Sequence, residues 1–198
     1  MPERKGNSIH EERTRSTRRR ILVEATRLFA RRGFHKTTVA DLASAIGMTQ
    51  GALFHHFSGK RAVLEAVVDR LGRGFESYRP ILSGEGELGV VVRRVAARML
   101  DFFREQPEAT VCLASLATEF AGTNDPILEK IRIAYDRFVD PFAARLSSEP
   151  KVRDPRASAI AFIAALEGLA VQSLLREGEP PPDALAGGLM NILNILEP

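Results

Sequence analysis

The sequence predicts an all-α chain of about nine helices: a three-helix head at the N-terminal side and a larger helical body behind it. Three observations carry this prediction. Apolar residues recur three and four positions apart through most of the 198 residues, the spacing of one helix face. No alternating apolar–polar run of useful length appears, so no strand is expected. Gly, Pro and Asp-Pro fall between the periodic segments, where helices stop and start. The chain divides into a disordered basic tail over residues 1–15, a helix-turn-helix domain over 16–59 and a helical domain over 60–198.

Taking the elements in order, residues 1–15 are polar and charged, and an extended tail is expected there. Thr17 offers a cap for a helix running to Arg32, with Ile21, Leu22, Ala25, Leu28 and Phe29 on one face and Gly33 at its end. Two short helices follow. Val39, Leu42, Ala43 and Ile46 share a face of the first, and small Ala43 lets the second cross closely. Gly47 supplies the positive φ that the turn requires. Thr49 caps the second helix, whose inner face is Leu53 and Phe57. A compact helix-turn-helix of this kind places its second helix in the DNA major groove.

Ser58-Gly59-Lys60 breaks the chain and starts a fourth helix, with Leu64, Val67, Val68, Leu71 and Phe75 as its stripe. Gly84 to Gly89 is a loop. Leu88 to Phe103 forms the next helix, stopped before Pro107, and a nearly all-apolar one spans about Glu108 to Ala121. Asp125-Pro126 opens a helix with Ile127, Ile131, Tyr135, Phe138, Phe142 and Leu146 in register. Pro141 lies inside that pattern, so a kink or break is expected. Asp154-Pro155 starts a helix to about Leu175, and Pro181-Pro182-Asp183 a last one to Leu196.

Charge is unevenly placed. The chain carries +3 overall, but residues 1–60 hold 12 Lys and Arg against 5 Asp and Glu, while the remainder is −4. A basic head on an acidic body is the electrostatic footprint of nucleic-acid binding. The one cysteine, Cys112, excludes an internal disulfide and a Cys-rich metal site, which suits a reducing cytoplasm. Met-Pro-Glu-Arg-Lys lacks the apolar run of a signal peptide. The segment from Ile160 to Leu175 comes nearest to a membrane span but is interrupted by Glu167 and Gln172. A soluble cytoplasmic protein with no membrane partner is expected. Adjacent His55 and His56 point in different directions on a helix, His10 and His35 lie in unrelated segments, and Cys112 has no neighbouring histidine. Neither a metal site, nor a cofactor, nor a catalytic constellation is expected, and the chain is read as a non-enzyme.

Leu28-Phe29-Ala30-Arg31-Arg32-Gly33-Phe34, Thr37-Thr38-Val39, Leu42-Ala43, Ile46-Gly47-Met48-Thr49, Gly51-Ala52-Leu53-Phe54-His55-His56-Phe57 and Lys60 follow one another in an order and spacing that closely resemble the DNA-binding region of TetR-family transcriptional regulators. The resemblance covers roughly Thr17 to Val68. It implies that Thr37 or Thr38 binds a backbone phosphate, that Thr49, Gln50, Gly51 and Ala52 face the groove, and that His55, His56 and Lys60 anchor to phosphates. Phe54 stands where many members have tyrosine, and basic Arg61 where many have an acidic residue. The residue chemistry agrees. Gln50 can bond adenine bidentately, Thr49 can meet a base edge or a phosphate, and Ala52 can touch a thymine methyl. The plainer alternatives stay open: Thr49 as a cap only, Gln50 as a solvated surface residue. Arg18, Arg19 and Arg20 are expected to face the DNA backbone or solvent.

In the body, Phe75, Met99, Phe102, Phe103, Cys112, Leu116, Phe120, Tyr135, Phe138 and Phe162 form a candidate apolar cavity, which suits a small hydrophobic or aromatic ligand. The helix from Pro155 to Leu175 and the last helix carry more apolar surface than one core needs. Ala161, Ala165, Gly168, Leu169, Gln172, Leu185, Leu189 and Ile192 are the candidate interface of a homodimer, built as a four-helix bundle as in the resembled family. The resulting expectation is a sequence-specific regulator, a repressor released from a palindromic double-stranded operator by ligand. An activator or ligand-independent regulator is the nearest alternative. A helical interaction adaptor or small-molecule carrier that does not read DNA is the alternative of another class.

Overall fold

The computed structural model describes residues 4–188. Among them there is no strand, and nine α-helices precede residue 176: α1 (Arg4–Arg32), α2 (Val39–Ala45), α3 (Gln50–Phe54), α4 (Lys60–Phe75), α5 (Arg79–Leu82), α6 (Leu88–Glu105), α7 (Pro107–Phe120), α8 (Ile127–Leu146) and α9 (Pro155–Leu175). A single 3₁₀ turn, Glu76–Tyr78, joins α4 to α5. Residues 182–188 are helical again, and the remainder of the expected last helix lies outside the described residues.

The first helix corrects the expectation of a disordered tail and a start at Thr17. It runs from Arg4, and Thr17 sits in its middle. No proline falls between Pro2 and the end of α1, and Glu11 and Arg15 form an i,i+4 pair along the way. Nothing after Gly6 therefore interrupts propagation once the buried turn around Ile21 and Ala25 has nucleated the helix. Gly33, at φ +80°, closes it.

Thr38 caps α2 through a reciprocal capping box: its hydroxyl oxygen accepts from the Asp41 N–H, and the Asp41 carboxylate accepts from the Thr38 N–H. That device satisfies two otherwise unpaired groups of a helix only seven residues long. Gly47, at φ +70°, makes the turn, and Thr49 caps α3 by accepting from the Ala52 N–H at 3.2 Å. Both follow the sequence expectation.

A buried cluster joins Ile21, Phe29, Leu42, Leu53 and Phe57 of the head to Val63, Leu64 and Val67 of α4 and Cys112, Leu113 and Leu116 of α7. The head is therefore not packed as a separate globule; its core continues into the body across residue 59. A second cluster unites α5, α6, α8 and α9 around Phe138, Phe142 and Ile163. Where α4 crosses α8, a β-carbon on Gly72 would lie 2.9 Å from that of Ala134. Only glycine permits that approach. Helix α8 passes Pro141 without a break, contrary to expectation. Its burial through Phe138, Val139, Phe142 and Leu146 outweighs the one hydrogen bond that proline removes.

Candidate functional site

The exposed edge of the head is the tip of α3. Thr49, Gln50 and Gly51 are exposed and Ala52 is half-buried. The Thr49 hydroxyl spends its acceptor on the cap but keeps its hydrogen to donate. Gln50 has no partner among the described residues and its amide is free to read a base edge. Phe54, at the end of the same short helix, leaves 50% of its surface in solvent. An aromatic ring left there is suited to packing on sugar and phosphate, without the hydroxyl bond a tyrosine would add.

Several expected phosphate ligands are already engaged. Thr37 is fully buried, and its hydroxyl donates to the Gly33 carbonyl at 2.7 Å. It seals the end of α1 and faces no solvent. Thr38 is exposed, but its hydroxyl donates to Asp41. What α2 offers a phosphate is instead the unpaired N–H groups of its first turn. Lys60 donates from Nζ to the Phe34 carbonyl at 2.8 Å and lies 4.2 Å above the Phe34 ring. It fastens α4 to the α1–α2 loop through neutral partners, which leave its charge unneutralised. His55 is exposed, whereas His56 is half-buried with Nδ1 enclosed and without a partner among the described residues. Arg18, itself exposed, donates to the His56 carbonyl and stacks 4.1 Å over Phe57, so it braces the end of α3 against α1. Arg20 reaches the Ile46 carbonyl at 3.4 Å.

Arg61, basic where many family members are acidic, is held bidentately by Asp125 at 2.8 and 2.6 Å and by Glu65 at 3.2 Å. The guanidinium, with the Ile127 N–H, holds the Asp125 carboxyl down at about 2. Helix α7 grips the head at two points. Near its start Glu108 pairs with Arg31. Near its end Glu119 accepts from the Phe34 and His35 N–H groups at 2.7 and 2.8 Å and meets His35 Nδ1 at 2.7 Å. Burial raises the Glu119 carboxyl, but these bonds outweigh it, and the net shift is downward. Sequence reasoning missed both carboxylates, because each lies far along the chain from its partner.

In the body a cavity of about 420 Å³ opens between α4, α6, α7 and α9, with Arg19 of α1 at its edge. Of the residues expected to line it, Phe75, Met99, Phe102 and Phe103 do so. Cys112, Leu116, Phe120, Phe138, Tyr135 and Phe162 do not. Cys112 and Leu116 are fully buried in the core shared with the head, and burial pushes the Cys112 thiol up to about 12. Phe120 packs on Phe34 and His35. Phe138 and Phe162 stack together in the second core. Tyr135 stands behind the wall and donates to Glu167, which does line the cavity, at 2.6 Å. The phenol is shifted upward by burial and by that carboxylate. Burial pushes the Glu167 carboxyl up to about 7. The lining also holds Arg70, Arg73 and Arg98, which an apolar-residue search had no means to find.

Helix α9 presents Ile160, Val171, Leu174 and Leu175 to solvent, Leu175 with 70% of its surface exposed. Of the expected interface residues, Ala161, Gly168 and Gln172 are exposed on α9, and Ala165 and Leu169 are half-buried. Leu185 is half-buried after it, while Leu189 and Ile192 lie outside the described residues. With a mean hydropathy of 1.7 over its most apolar window, α9 is long and apolar enough to cross a membrane. This corrects the expectation that no segment is.

Residues 21–67 match the model of the bacterial regulatory proteins of the tetR family. Over these residues the chain is similar to the DNA-binding region of the TetR family. The HTH-type transcriptional repressor Rv1474c of Mycobacterium tuberculosis is 39% identical over 89 residues, 45% of this chain and 46% of that protein. The match thus spans less than half the length of that relative. The nucleoid occlusion factor SlmA of Haemophilus ducreyi is 28% identical over 149 residues, 71% of this chain and 72% of the other. A putative fatty acid metabolism regulator of Clostridium perfringens shares the fold, with a TM-score of 0.73 at 17% identity, covering 88% of this chain and 97% of the other. The TetR-family match ends in α4, so the cavity and α9 lie beyond it.

Proposed function

We propose that the chain is a sequence-specific DNA-binding regulator, acting as a homodimeric repressor that a small ligand releases from its operator. One observation carries the ligand response: the same helices line the cavity and hold the head. Helix α4 contributes Arg70, Leu71 and Phe75 to the cavity and, one end away, Lys60 and Arg61 to the head and the α8 start. Helix α7 contributes Ala109, Thr110 and Leu113 between its two grips, Glu108 and Glu119. A ligand seated among these residues cannot displace either helix without moving α3. Its differential affinity for two head positions then shifts the population between them.

The exposed apolar stripe of α9 supports the dimer. Ile160, Ala164, Gly168, Val171 and Leu175 follow at spacings that keep one face, all exposed in a single subunit. Glu167 and Gln172 within the helix make a lipid environment expensive, whereas a second copy of α9 covers the stripe by two-fold symmetry. Two heads then address half-sites about 34–36 Å apart. The repressor named among the relatives supports the sign of regulation.

The test is capture of genomic fragments by the purified full chain at low salt, followed by footprinting. A palindromic protected site is expected, and Gln50→Ala is expected to lose about 1–3 kcal/mol of discrimination at one symmetric base pair. Capture of no fragment, with the dimer intact, overturns the reading.

A further inference from the structure

Four guanidinium groups, those of Arg19, Arg70, Arg73 and Arg98, gather at one cavity whose other walls are largely apolar. Among the described residues none of the four enters an ion pair. Elsewhere in the body Arg61 pairs with Asp125, Arg132 with Glu129 and Asp136, and Arg156 with Asp136 and Asp140. The body beyond residue 60 is net acidic, yet no carboxylate among the described residues pairs with this group. The one acidic residue in the lining, Glu167, is turned to Tyr135 and not to any guanidinium. Arg70 is half-buried, and burial together with the neighbouring Arg19 and Arg73 charges works against its protonated form. Arg73 and Arg98 are exposed at the rim. Beneath them, Leu71, Phe75, Met99, Phe102, Leu113 and Ile163 offer apolar surface.

We infer that the ligand of this cavity is an anionic amphiphile, whose carboxylate or phosphate head is bound by the arginine group while its apolar body fills the space below. The inference rests on the ligand-responsive reading above and names the chemistry of that ligand. Planar guanidiniums suit a carboxylate or phosphate because each presents parallel N–H donors. A cavity of about 420 Å³ is of ordinary size for a small-molecule site. The bound anion relieves the mutual repulsion of the four cations, and because Arg19 belongs to α1 and Arg70 to α4, it draws a head helix and a body helix toward one point.

The test is calorimetric titration of the full-length dimer, below micelle formation, with four probes of equal chain length: dodecanoate, dodecyl phosphate, dodecanol and dodecyltrimethylammonium. The anions are expected to bind once per subunit and the cation not to bind. Dodecanol is expected to bind at least about tenfold more weakly, as the loss of charge-assisted hydrogen bonds implies. Arg70→Met and Arg98→Met should each weaken the anions about tenfold and leave dodecanol unchanged. Arg98 is exposed, so its variant keeps the inference testable if Arg70→Met fails to fold. Preference between dodecanoate and dodecyl phosphate tells carboxylate from phosphate. Equal binding of dodecanol and dodecanoate, or indifference to both arginine variants, overturns the inference. If dodecanol or the cation binds best and releases DNA, the anionic assignment falls while the ligand-responsive reading stands.

Discussion

Thr37 and Thr38 are neighbours with opposite environments, and the difference shows what a side chain can contribute once its partners are known. The Thr37 hydroxyl is buried against the Gly33 carbonyl, while the Thr38 hydroxyl is tied into a capping box with Asp41. Neither is the free phosphate donor that its position in the family pattern suggests. Lys60 and Arg61 repeat the lesson, since Lys60 bonds the Phe34 carbonyl of the head while the Arg61 charge is paired with Asp125 within the body. Gln50 and Thr49 keep unspent donors at the exposed edge, as the proposed base reading requires. Glu167 offers a prediction at this scale. Its value in the folded chain, about 7, lies above the ordinary 4.5. The stabilisation tied to its proton is therefore complete below pH 4.5 and is lost as pH rises through about 7. Thermal unfolding of Glu167→Gln against the parent should show the variant gaining relative stability across that interval and holding a constant lead above it. A difference independent of pH would show that Glu167 is not buried uncharged.

At the scale of elements, the caps and turns of the head were legible because each is a short-range device. Gly47, Thr49 and the apolar spacing of α2 and α3 act within a few residues, so composition and order suffice to read them. The unbroken α8 and the long α1 were not, because burial on another helix decides whether Pro141 breaks a helix, and a distant core decides how far α1 extends. The cavity was half legible for the same reason. Aromatic residues on suitable faces are visible in sequence, but which of them meet a void depends on how α4, α7 and α8 pack. The arginines that distinguish the cavity come from three helices, α1, α4 and α6. Helix α7 supplies the prediction here. Glu119→Gln replaces a carboxylate that accepts three bonds from the α1–α2 loop. Hydrogen exchange of the Phe34 and His35 amides should quicken by an amount equivalent to about 1–2 kcal/mol, discounted for partial exposure. Amides of α8 should keep their protection. Unchanged exchange at Phe34 would mean that α7 does not hold the head.

For the whole molecule, the decisive feature is that head and body share one core while α9 leaves an apolar face open. A head docked this firmly transmits body motion as a lever, with little slack at residue 59. In the proposed dimer, the open face of α9 sets how the two heads are spaced. Val171→Asp combined with Leu175→Asp places charges on that stripe without touching either core. Sedimentation should show single subunits, and operator affinity should fall about a hundredfold or more, the loss of linked half-site binding. A variant that remains dimeric would place the interface elsewhere.

The coupling of cavity to head spacing is tested most directly by the distance between the two heads. Ala45 is exposed at the end of α2, and Cys112 is buried with a suppressed thiolate. A spin label on Ala45→Cys therefore reports the head alone. Dipolar spectroscopy should give one narrow inter-subunit distance on operator DNA, consistent with recognition helices about 34–36 Å apart. A displaced distribution is expected when dodecanoate fills the cavity. Absence of any inter-subunit coupling, or the same distribution with DNA and with saturating ligand, would contradict the account.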